Sequence, residues 1–238
     1  MATYVAGGRG VEAGRGWDWI AAGWELFKKQ AGMWIALVLV AFVIFFVLAL
    51  IPVVGSLATF VLSPVFAAGV LAGSRAVDEG RGLEIGHLFA GFREKLAQLA
   101  TVGAIYLGAA VAIALVVGLA TGASIFTMIS SGGEAATPAA ALSVILALLI
   151  MLALLLPVVM AVWFAPALVM FHDKGAVDAM KESFSGCLRN IVPFLVYGVV
   201  MMVFAVIASI PLGLGWLVLG PVLCTSFYTS YKDIYLTA

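Results

Sequence analysis

Six long apolar runs, with no acidic side chain, histidine or basic side chain except Arg75 next to the end of the second, are the feature that most restricts the fold of this chain. A helix needs about 20 such residues to cross the hydrocarbon core of a bilayer. The runs therefore predict six transmembrane helices, at roughly Trp34–Val54, Leu57–Ala76, Leu99–Ala120, Ala140–Phe164, Ile191–Ile210 and Leu212–Tyr231. Only 10% of the residues are charged, against about 25% in soluble domains, so the composition agrees with an all-α, polytopic membrane protein.

The basic residues are confined to one predicted side of the membrane. Eleven of the twelve Lys and Arg lie in the termini and in the second and fourth connections between runs, and the twelfth, Arg75, lies one residue before the second connection; the other connections carry one acid, Glu134. Cytoplasmic segments of membrane proteins are enriched in Lys and Arg. We therefore expect both termini in the cytoplasm, with the first apolar run retained as a signal anchor.

An amphipathic stretch precedes each predicted pair of spans. Apolar residues spaced three and four apart form one helical stripe. The stripes are Ile20, Trp24, Phe27 and Ala31 in the first stretch; Ile85, Leu88, Phe89, Phe92, Leu96 and Leu99 in the second; and Val177, Met180, Phe184, Cys187, Leu188 and Ile191 in the third. These patterns predict three cytoplasmic interfacial helices. The alternative, packing of the stripes on the protein itself, stays open.

Basic residues on the polar faces of these stretches are the candidate contacts to anionic lipid headgroups. They are Lys28, Lys29, Arg93, Lys95, Lys181 and Arg189. A basic residue near an anionic membrane surface gains about 1 kcal/mol. Membrane phospholipids are accordingly the partners that the sequence predicts, and the net charge of zero gives no indication of nucleic acid.

The stretches and spans together suggest an internal repeat. Residues 1–16 are predicted to be a flexible tail, and residues 17–238 a single membrane domain with approximate units 17–76, 84–164 and 176–238. "IPVVGSLATFVLSP" in the first unit and "IPLGLGWLVLGP" in the third share an Ile-Pro, a glycine-containing turn and a second proline. The middle unit has a longer external connection, over Thr121–Ala139.

Small residues suggest where helices approach one another. Gly69 and Gly73 form a GxxxG pattern in the second predicted span, and Gly118 and Gly122 form another in the third. Such patterns allow close backbone approach in lipid. We interpret them as helix contacts, with association through Gly69 and Gly73, either with other membrane proteins or with a second copy of this chain, as a second interpretation.

Features that carry chemistry are scarce. Cys187 and Cys224 form no CxxC pair, His87 and His172 lack metal-ligand spacing, and no known catalytic motif is present. The sequence therefore predicts no catalytic residue, no metal and no cofactor. Apart from Arg75 next to the end of the second, the predicted spans carry hydroxyls but no ionisable acid or base, which disfavours a proton-driven pump. A passive pore and a lipid-handling groove both remain open.

Two segments carry a resemblance to a known group of proteins. "AMKESFSGCLRNIVPFLVYGVV" (Ala179–Val200) and "WDWIAAGWELFKKQAGMWIALVL" (Trp17–Leu39) resemble uncharacterised bacterial inner-membrane proteins. That group is related to the membrane domain of some glycerophosphodiester phosphodiesterases. The resemblance implies a six-helix inner-membrane protein without an assigned reaction, and no catalytic residue is carried over because the soluble phosphodiesterase domain is absent.

Two functions are consistent with these features. We expect a non-enzymatic membrane scaffold or lipid-interacting protein, and the alternative is a small permease or channel without intramembrane ionisable residues. A water-filled cavity that reaches the middle of the membrane would favour the permease, and a dry, well-packed bundle would favour the scaffold.

Overall fold

The protein is a bundle of helices, and the segments near its N- and C-termini pair with each other. The structure, a computed structural model, describes residues 3–130 and 138–237. The helices are α1 (Arg15–Lys29), α2 (Ala31–Ala49), α3 (Val54–Asp78), α4 (Ala90–Glu94), α5 (Leu96–Ser130), α6 (Pro138–Trp163), α7 (Ala165–His172), α8 (Ala176–Arg189), α9 (Ile191–Ser209) and α10 (Trp216–Tyr235), with a 3₁₀ helix at Ile85–Phe89. Two short strands, β1 (Thr3–Tyr4) and β2 (Leu236–Thr237), pair antiparallel.

Five segments within the described residues are long and apolar enough to cross a membrane. They are Ala31–Ala49, Val54–Asp78, Leu96–Leu119, Ile145–His172 and Ile191–Ser209, and they coincide with the first five predicted spans. The sixth predicted span corresponds to α10, which is less apolar because its second half carries hydroxyl groups, Lys232 and Asp233. The structure thus confirms an all-α protein with five candidate membrane spans among the described residues, while a sixth span stays a prediction.

The hydroxyl groups of α10 have partners on α1. Thr225 Oγ1 donates a hydrogen bond to the carbonyl of Gly23 at 2.8 Å, and Thr229 Oγ1 donates one to the carbonyl of Trp19 at 2.7 Å. A third hydroxyl of α10, that of Ser226, has its partner on α9: its Oγ lies 2.8 Å from the phenol OH of Tyr197. The polar half of α10 is therefore buried against protein, which is why it does not show the hydropathy of a lipid-facing helix.

One packing arrangement occurs three times. α1 packs on α9 and α10, the 3₁₀ helix packs on α2 and α3, and α8 packs on α5 and α6. Each short helix therefore crosses the pair of long helices that precedes it, with α1 completing the last pair from the other end of the chain. We call α1, the 3₁₀ helix with α4, and α8 the three crossing helices. The origin of this recurrence in a sequence repeat of units 17–76, 84–164 and 176–238 stays a prediction.

Two of the crossings bring backbones into direct contact. A Cβ atom on Gly23 would lie 2.7 Å from the backbone nitrogen of Ser226, and one on Gly69 would lie 2.2 Å from the carbonyl oxygen of Leu88. Real Cβ atoms do not approach other atoms this closely, so glycine is required at both positions.

The third crossing inserts a side chain into a helix. Ser183 Oγ on α8 accepts a hydrogen bond from the backbone N–H of Phe164 at 2.8 Å and donates one to the carbonyl of Met160 at 2.7 Å. The hydroxyl thus stands between two groups that would pair with each other in a continuous helix. A side chain inserted in this way is a known cause of helix breaks, and α6 ends at Trp163 immediately before it.

The first and last hairpins of long helices turn in a similar way. Pro52 and Pro211 are each followed by a residue with a left-handed backbone, Val53 with φ 61° and Leu212 with φ 52°. The shared Ile-Pro sequence at these two places therefore corresponds to a shared local conformation. The middle hairpin differs from the expected long external connection, because α5 continues to Ser130 and α6 begins at Pro138.

The N-terminal segment, predicted to be a flexible tail over residues 1–16, makes specific contacts in the structure. Asn190 Oδ1 accepts a hydrogen bond from the N–H of Val11 at 2.8 Å, and Asn190 Nδ2 donates one to the carbonyl of Arg9 at 2.8 Å. The segment carries the chain from β1 to α1, so these contacts and the strand pair fix the position from which α1 crosses the last hairpin.

The second amphipathic stretch differs from the single helix that its periodicity suggested. Residues Ile85–Phe89 form a 3₁₀ helix, α4 covers only Ala90–Glu94, and α5 begins at Leu96. Glu84 and His87 form a capping box at the start of the 3₁₀ helix, which anchors its tighter geometry. Leu88 and Leu99 are fully buried, whereas Ile85 and Leu96 are exposed, so the predicted stripe is divided between protein and surroundings.

Candidate functional site

Ion pairs gather the charged segments at one end of the bundle. They join the N-terminal segment, the two charged connections and the last turn of α10. The pairs are Arg9–Asp233, Arg15–Asp233, Lys232–Asp78, Lys95–Asp173 and Lys174–Glu182. The segments that the sequence placed on one side of the membrane therefore lie at the same end of the structure, which we call the charged end.

Asp233, at the charged end, is a buried carboxylate with three side-chain donors around it. Its side chain is 7% exposed, and its two oxygens accept hydrogen bonds from Arg9 at 2.9 Å, from Arg15 at 2.8 Å and from the indole N–H of Trp19 at 2.8 Å. A buried carboxylate is stable only when donors surround it. The three donors satisfy this requirement, and they connect the two ends of the chain.

A second cluster surrounds Glu182 on α8. Tyr4 OH and the N–H of Gly7 donate hydrogen bonds to Oε1, and Lys174 Nζ lies 3.1 Å from Oε2. Burial alone would raise the pKa of the Glu182 carboxyl, but these donors and the Lys174 charge outweigh burial and lower that pKa below its ordinary value. The Tyr4 ring also stacks on His172 with centroids 3.8 Å apart. The hydrogen bonds to Glu182 and this stacking together hold β1 against the bundle.

The lowered pKa of Glu182 predicts a pH-dependent attachment of the N-terminal segment. Its contribution to stability is fully present above the ordinary glutamate pKa of about 4.3 and is lost as the pH falls through the lower pKa of the folded state. We expect amide exchange of residues 3–9, corrected for intrinsic rates, to be protected at neutral pH and to lose protection in acid. Glu182→Gln should reduce protection at neutral pH and remove most of the pH dependence, and identical pH profiles in both proteins would contradict this role.

The six basic residues predicted to contact lipid differ in their surroundings. Lys28 pairs with Glu25 at 2.8 Å, and Lys95 pairs with Asp173. The remaining four form no ion pair within the residues that the structure describes: Arg93 donates to the carbonyl of Gly86, Arg189 donates to the carbonyl of Gly8, and Lys29 and Lys181 have neither kind of contact. Their contact with lipid stays a prediction, and Lys29 and Lys181 are the two whose charge is least engaged.

The predicted apolar stripe of α8 is divided between protein and surroundings, because Met180 and Cys187 are buried in the protein. Ala179, Ser183 and Gly186 are buried against the bundle, whereas Val177 and Leu188 of the predicted stripe are each 51% exposed. The opposite flank carries Glu182 and its contacts. An exposed apolar flank between a packed face and a polar flank is the arrangement expected of a helix at a membrane interface.

The first amphipathic stretch has features of both alternatives, packing on the protein and contact with the membrane interface. Trp19, Ile20 and Phe27 on α1 are buried in the protein, while Trp17 is 51% exposed and Trp24 is 41% exposed. α1 therefore packs on the bundle through most of its apolar residues and leaves two tryptophans on its outer flank. Indole rings on such a flank suit the interfacial region of a bilayer.

Gly69 and Gly73 are covered by the protein's own chain. A Cβ on Gly73 would lie 2.7 Å from Leu83, and Gly69 contacts the backbone of Leu88 as described above. Association of a second copy through these glycines would require the 3₁₀ helix to leave its position, so the structure assigns them to the helix contact that the sequence also suggested.

A groove that sequence reasoning did not identify lies between α6 and α9. Its volume is about 340 Å³, and its walls include Leu156, Met160, Phe194 and Gly198. It adjoins a cavity of about 380 Å³ between α3, α5, α7 and α10, lined among others by Pro64, Tyr106, Pro166, Cys224 and Phe227. The two spaces share Val159, Trp163 and Tyr197 as lining residues. We call them together the α6–α9 groove.

The lining of the α6–α9 groove is almost entirely apolar. Among the described residues, no acidic or basic side chain contributes to it. Its few polar groups are mostly engaged, since Ser63 Oγ donates to the carbonyl of Phe60 and Tyr197 OH pairs with Ser226. The indole N–H of Trp163 is buried and has no acceptor among the described residues. This lining fits hydrocarbon better than a hydrated solute.

Potential metal ligands and nucleophiles are the next feature of the described part of the chain. No group of three or more His, Cys, Asp and Glu side chains is arranged to hold a metal ion there. Both cysteines are free thiols, and burial raises the pKa of the Cys187 thiol to about 12. A thiol with such a pKa is protonated at neutral pH and is a poor nucleophile.

Comparison with known proteins gives one informative relative. The chain is 28% identical over 251 residues to a protein of Burkholderia thailandensis described as a "Probable inner membrane protein", and the match covers 94% of this chain and 92% of that protein. No family model matches the chain, and no solved structure matches it. Together with the five candidate spans, this relative supports a multi-pass inner membrane protein. The comparisons show no link to glycerophosphodiester phosphodiesterases.

Proposed function

We propose that this inner membrane protein is a non-enzymatic, lipid-interacting protein that holds an acyl chain of a membrane phospholipid in the α6–α9 groove. The observation that carries the proposal is the groove itself, which has apolar walls and lies between two membrane-spanning segments, Ile145–His172 and Ile191–Ser209. Such a space inside a bilayer is in contact with hydrocarbon, and acyl chains are the molecules available to fill it.

The groove interrupts an otherwise regular arrangement of the long helices. α5 packs on α3, and α2 packs on α10, so in two places the first helix of one hairpin contacts the second helix of the preceding hairpin. At the third such place, between α9 and α6, the groove separates the two helices. This departure at one position favours a specific role for the gap over a general looseness of the bundle.

Shape rather than hydrophobicity has to account for retention of a chain. Moving an acyl chain from the bilayer into an apolar groove removes no apolar surface from water, so the gain comes from van der Waals contacts with the walls. Aromatic walls supply many such contacts: Trp163 packs edge-to-face against Phe194 and Phe227, with centroids 5.9 and 5.7 Å apart. A bound chain would complete the packing around these rings.

The alternative function, a small permease or channel, has less support from the groove. A pathway for a hydrated solute needs polar groups along its length, and the lining offers few that are free. The lining of the groove is almost entirely apolar, and this supports a lipid-interacting protein over a pathway for a hydrated solute. Phospholipids are accordingly the partners that we propose.

Filling the groove tests the proposal. Gly198 lines the groove on α9, and a Cβ on it would meet no atom within 4 Å. We expect Gly198→Phe to occupy the space of the acyl chain and to remove one retained phospholipid per protein, measured by native mass spectrometry after extensive washing in detergent. Gly108→Phe on α5 is the matched control, because Gly108 is also exposed with open space around it.

The outcomes of this experiment separate the two functions. The control should retain the same number of phospholipids as the unmodified protein. Equal lipid retention in Gly198→Phe and Gly108→Phe would contradict the acyl-chain proposal. Solute uptake by reconstituted vesicles, inhibited by Gly198→Phe alone, would instead support a permease.

A further inference from the structure

A second, shallower groove lies beneath the outward flank of α8. Its volume is about 290 Å³, and it is formed by Val177, Met180 and Phe184 of α8 with Ile105 of α5 and Ala161 of α6. Every one of these side chains is apolar. The groove lies on the opposite side of α6 from the α6–α9 groove, because α8 crosses α6 at Ser183 and contributes Cys187 to the other side.

Lys181 provides the polar residue of this groove. It is exposed, and it lines the groove together with the five apolar residues. Within residues 3–130 and 138–237 it forms no ion pair. The nearest acids along α8 are Asp178 and Glu182; Asp178 lies beyond 4 Å of any basic group in these ranges, and Glu182 pairs with Lys174. The Lys181 ammonium is therefore available to an external anion.

A comparable groove is formed on α1 by four residues with the same spacing as the four that α8 contributes. Trp17, Ile20, Ala21 and Trp24 line a space of about 520 Å³ against α9 and α10. These positions precede Val177, Met180, Lys181 and Phe184 by 160 residues each. The two crossing helices thus present equivalent flanks to equivalent hairpins. The chemical difference between the grooves is the basic residue, since Ala21 stands where α8 has Lys181.

The geometry points to a binding site for an anionic phospholipid at the flank of α8. Lys181 contacts the headgroup phosphate, and the first part of one acyl chain lies against Ile105, Ala161 and Phe184. The equivalent groove on α1 accepts an acyl chain without preference for headgroup charge. Charge complementarity and the membrane-spanning helices that form the floor identify phospholipid as the occupant. This site is separate from the α6–α9 groove, and neither requires the other to be occupied.

The test exchanges the one residue that distinguishes the two grooves. The protein is reconstituted in phosphatidylcholine vesicles that contain trace photoactivatable phosphatidylglycerol or phosphatidylcholine, each with the reactive group near the start of an acyl chain. Labelled residues are mapped by mass spectrometry. The variants are Lys181→Ala, the reciprocal Ala21→Lys, and Lys29→Ala as a control that removes an unpaired basic residue outside both grooves.

The proposal makes a different statement about each variant. In the unmodified protein, phosphatidylglycerol should label the α8 groove about fivefold more than phosphatidylcholine does, which is the factor expected from one basic residue near an anionic headgroup. Lys181→Ala should remove this preference, Ala21→Lys should create it at the α1 groove, and Lys29→Ala should change neither. Higher salt should weaken the preference.

Several results would overturn the proposal. Equal labelling of the α8 groove by both lipids in the unmodified protein would show that Lys181 does not select an anionic headgroup. An unchanged preference in Lys181→Ala would assign the selectivity to another residue. Labelling at Gly198 and Trp163 reports on the α6–α9 groove in the same samples, so failure of one site is distinguished from failure of the other.

Discussion

Gly69→Val is expected to prevent stable folding of this protein. The first side-chain carbon would lie 2.2 Å from the carbonyl oxygen of Leu88 and 2.7 Å from that of His87, so the 3₁₀ helix could not stay on α3. Both obstructing atoms belong to backbone and cannot rotate away. Overpacking of this kind costs about 3 kcal/mol or more, a large share of the stability of most domains. The measurement is the yield of monodisperse protein in detergent together with its thermal unfolding midpoint.

Gly108→Val serves as the control for this substitution. It places the same side chain in a membrane-spanning helix where a Cβ meets no atom within 4 Å, so we expect an unfolding midpoint close to that of the unmodified protein. If Gly69→Val gave a well-folded monomer from a protein that otherwise dimerises, the glycine would belong to an interface between copies. The crossing arrangement would then be wrong at α3.

Features of the fold that depend on a continuous stretch of sequence could be predicted, and features that depend on contacts between distant parts of the chain could not. The positions of five spans could be predicted because a long apolar run without charge has few alternatives to a membrane helix. The span predicted at α10 stays a prediction because its hydroxyls, such as those of Thr225 and Thr229, bind to α1 about 200 residues earlier in the chain and lower its hydropathy. Hydropathy counts those groups as polar, although in the folded protein they face a partner.

Local geometry explains the errors in the short elements. Periodicity in residues 85–99 placed Leu88 and Leu99, which are buried in the structure, on one apolar face, but it did not show that the segment is a 3₁₀ helix and a short α-helix. The relevant signal, a capping box between Glu84 and His87, has weak sequence specificity. The contacts of residues 3–11 could not be predicted because their partners, Asn190 and Asp233, are near the other end of the chain.

The candidate sites show the same division. The basic residues predicted to contact lipid were identified from the sequence pattern, and the structure added which of them lack an acidic partner among the described residues. The α6–α9 groove left no sequence signal, because it arises from the spacing of two helices and its lining resembles any membrane-spanning segment. Only the arrangement of α6 relative to α9 distinguishes Trp163 and Gly198 from lipid-facing residues elsewhere.

Asp233→Ala is expected to loosen α1 from the bundle. The substitution removes the acceptor of three side-chain hydrogen bonds and leaves the Trp19 indole N–H, on a side chain that is 1% exposed, without a partner. A buried donor without an acceptor costs about 1–3 kcal/mol. Arg9 and Arg15 are 45% and 44% exposed, so water would solvate their charges, and we expect a total loss of about 3 kcal/mol rather than the larger loss typical of a fully buried pair.

Asp18→Ala provides the matched control for this effect. Asp18 also pairs with Arg15, at 3.3 Å, but its side chain is 53% exposed, and exposed pairs contribute about 0–1 kcal/mol. Thermal unfolding in detergent should therefore show a large decrease for Asp233→Ala and little change for Asp18→Ala. Limited proteolysis should cleave between β1 and α1 only in the first variant, because Arg9 and Arg15 connect that segment to the end of α10. Equal midpoints for the two variants would mean that the strand pair and Asn190 hold α1 in place without Asp233.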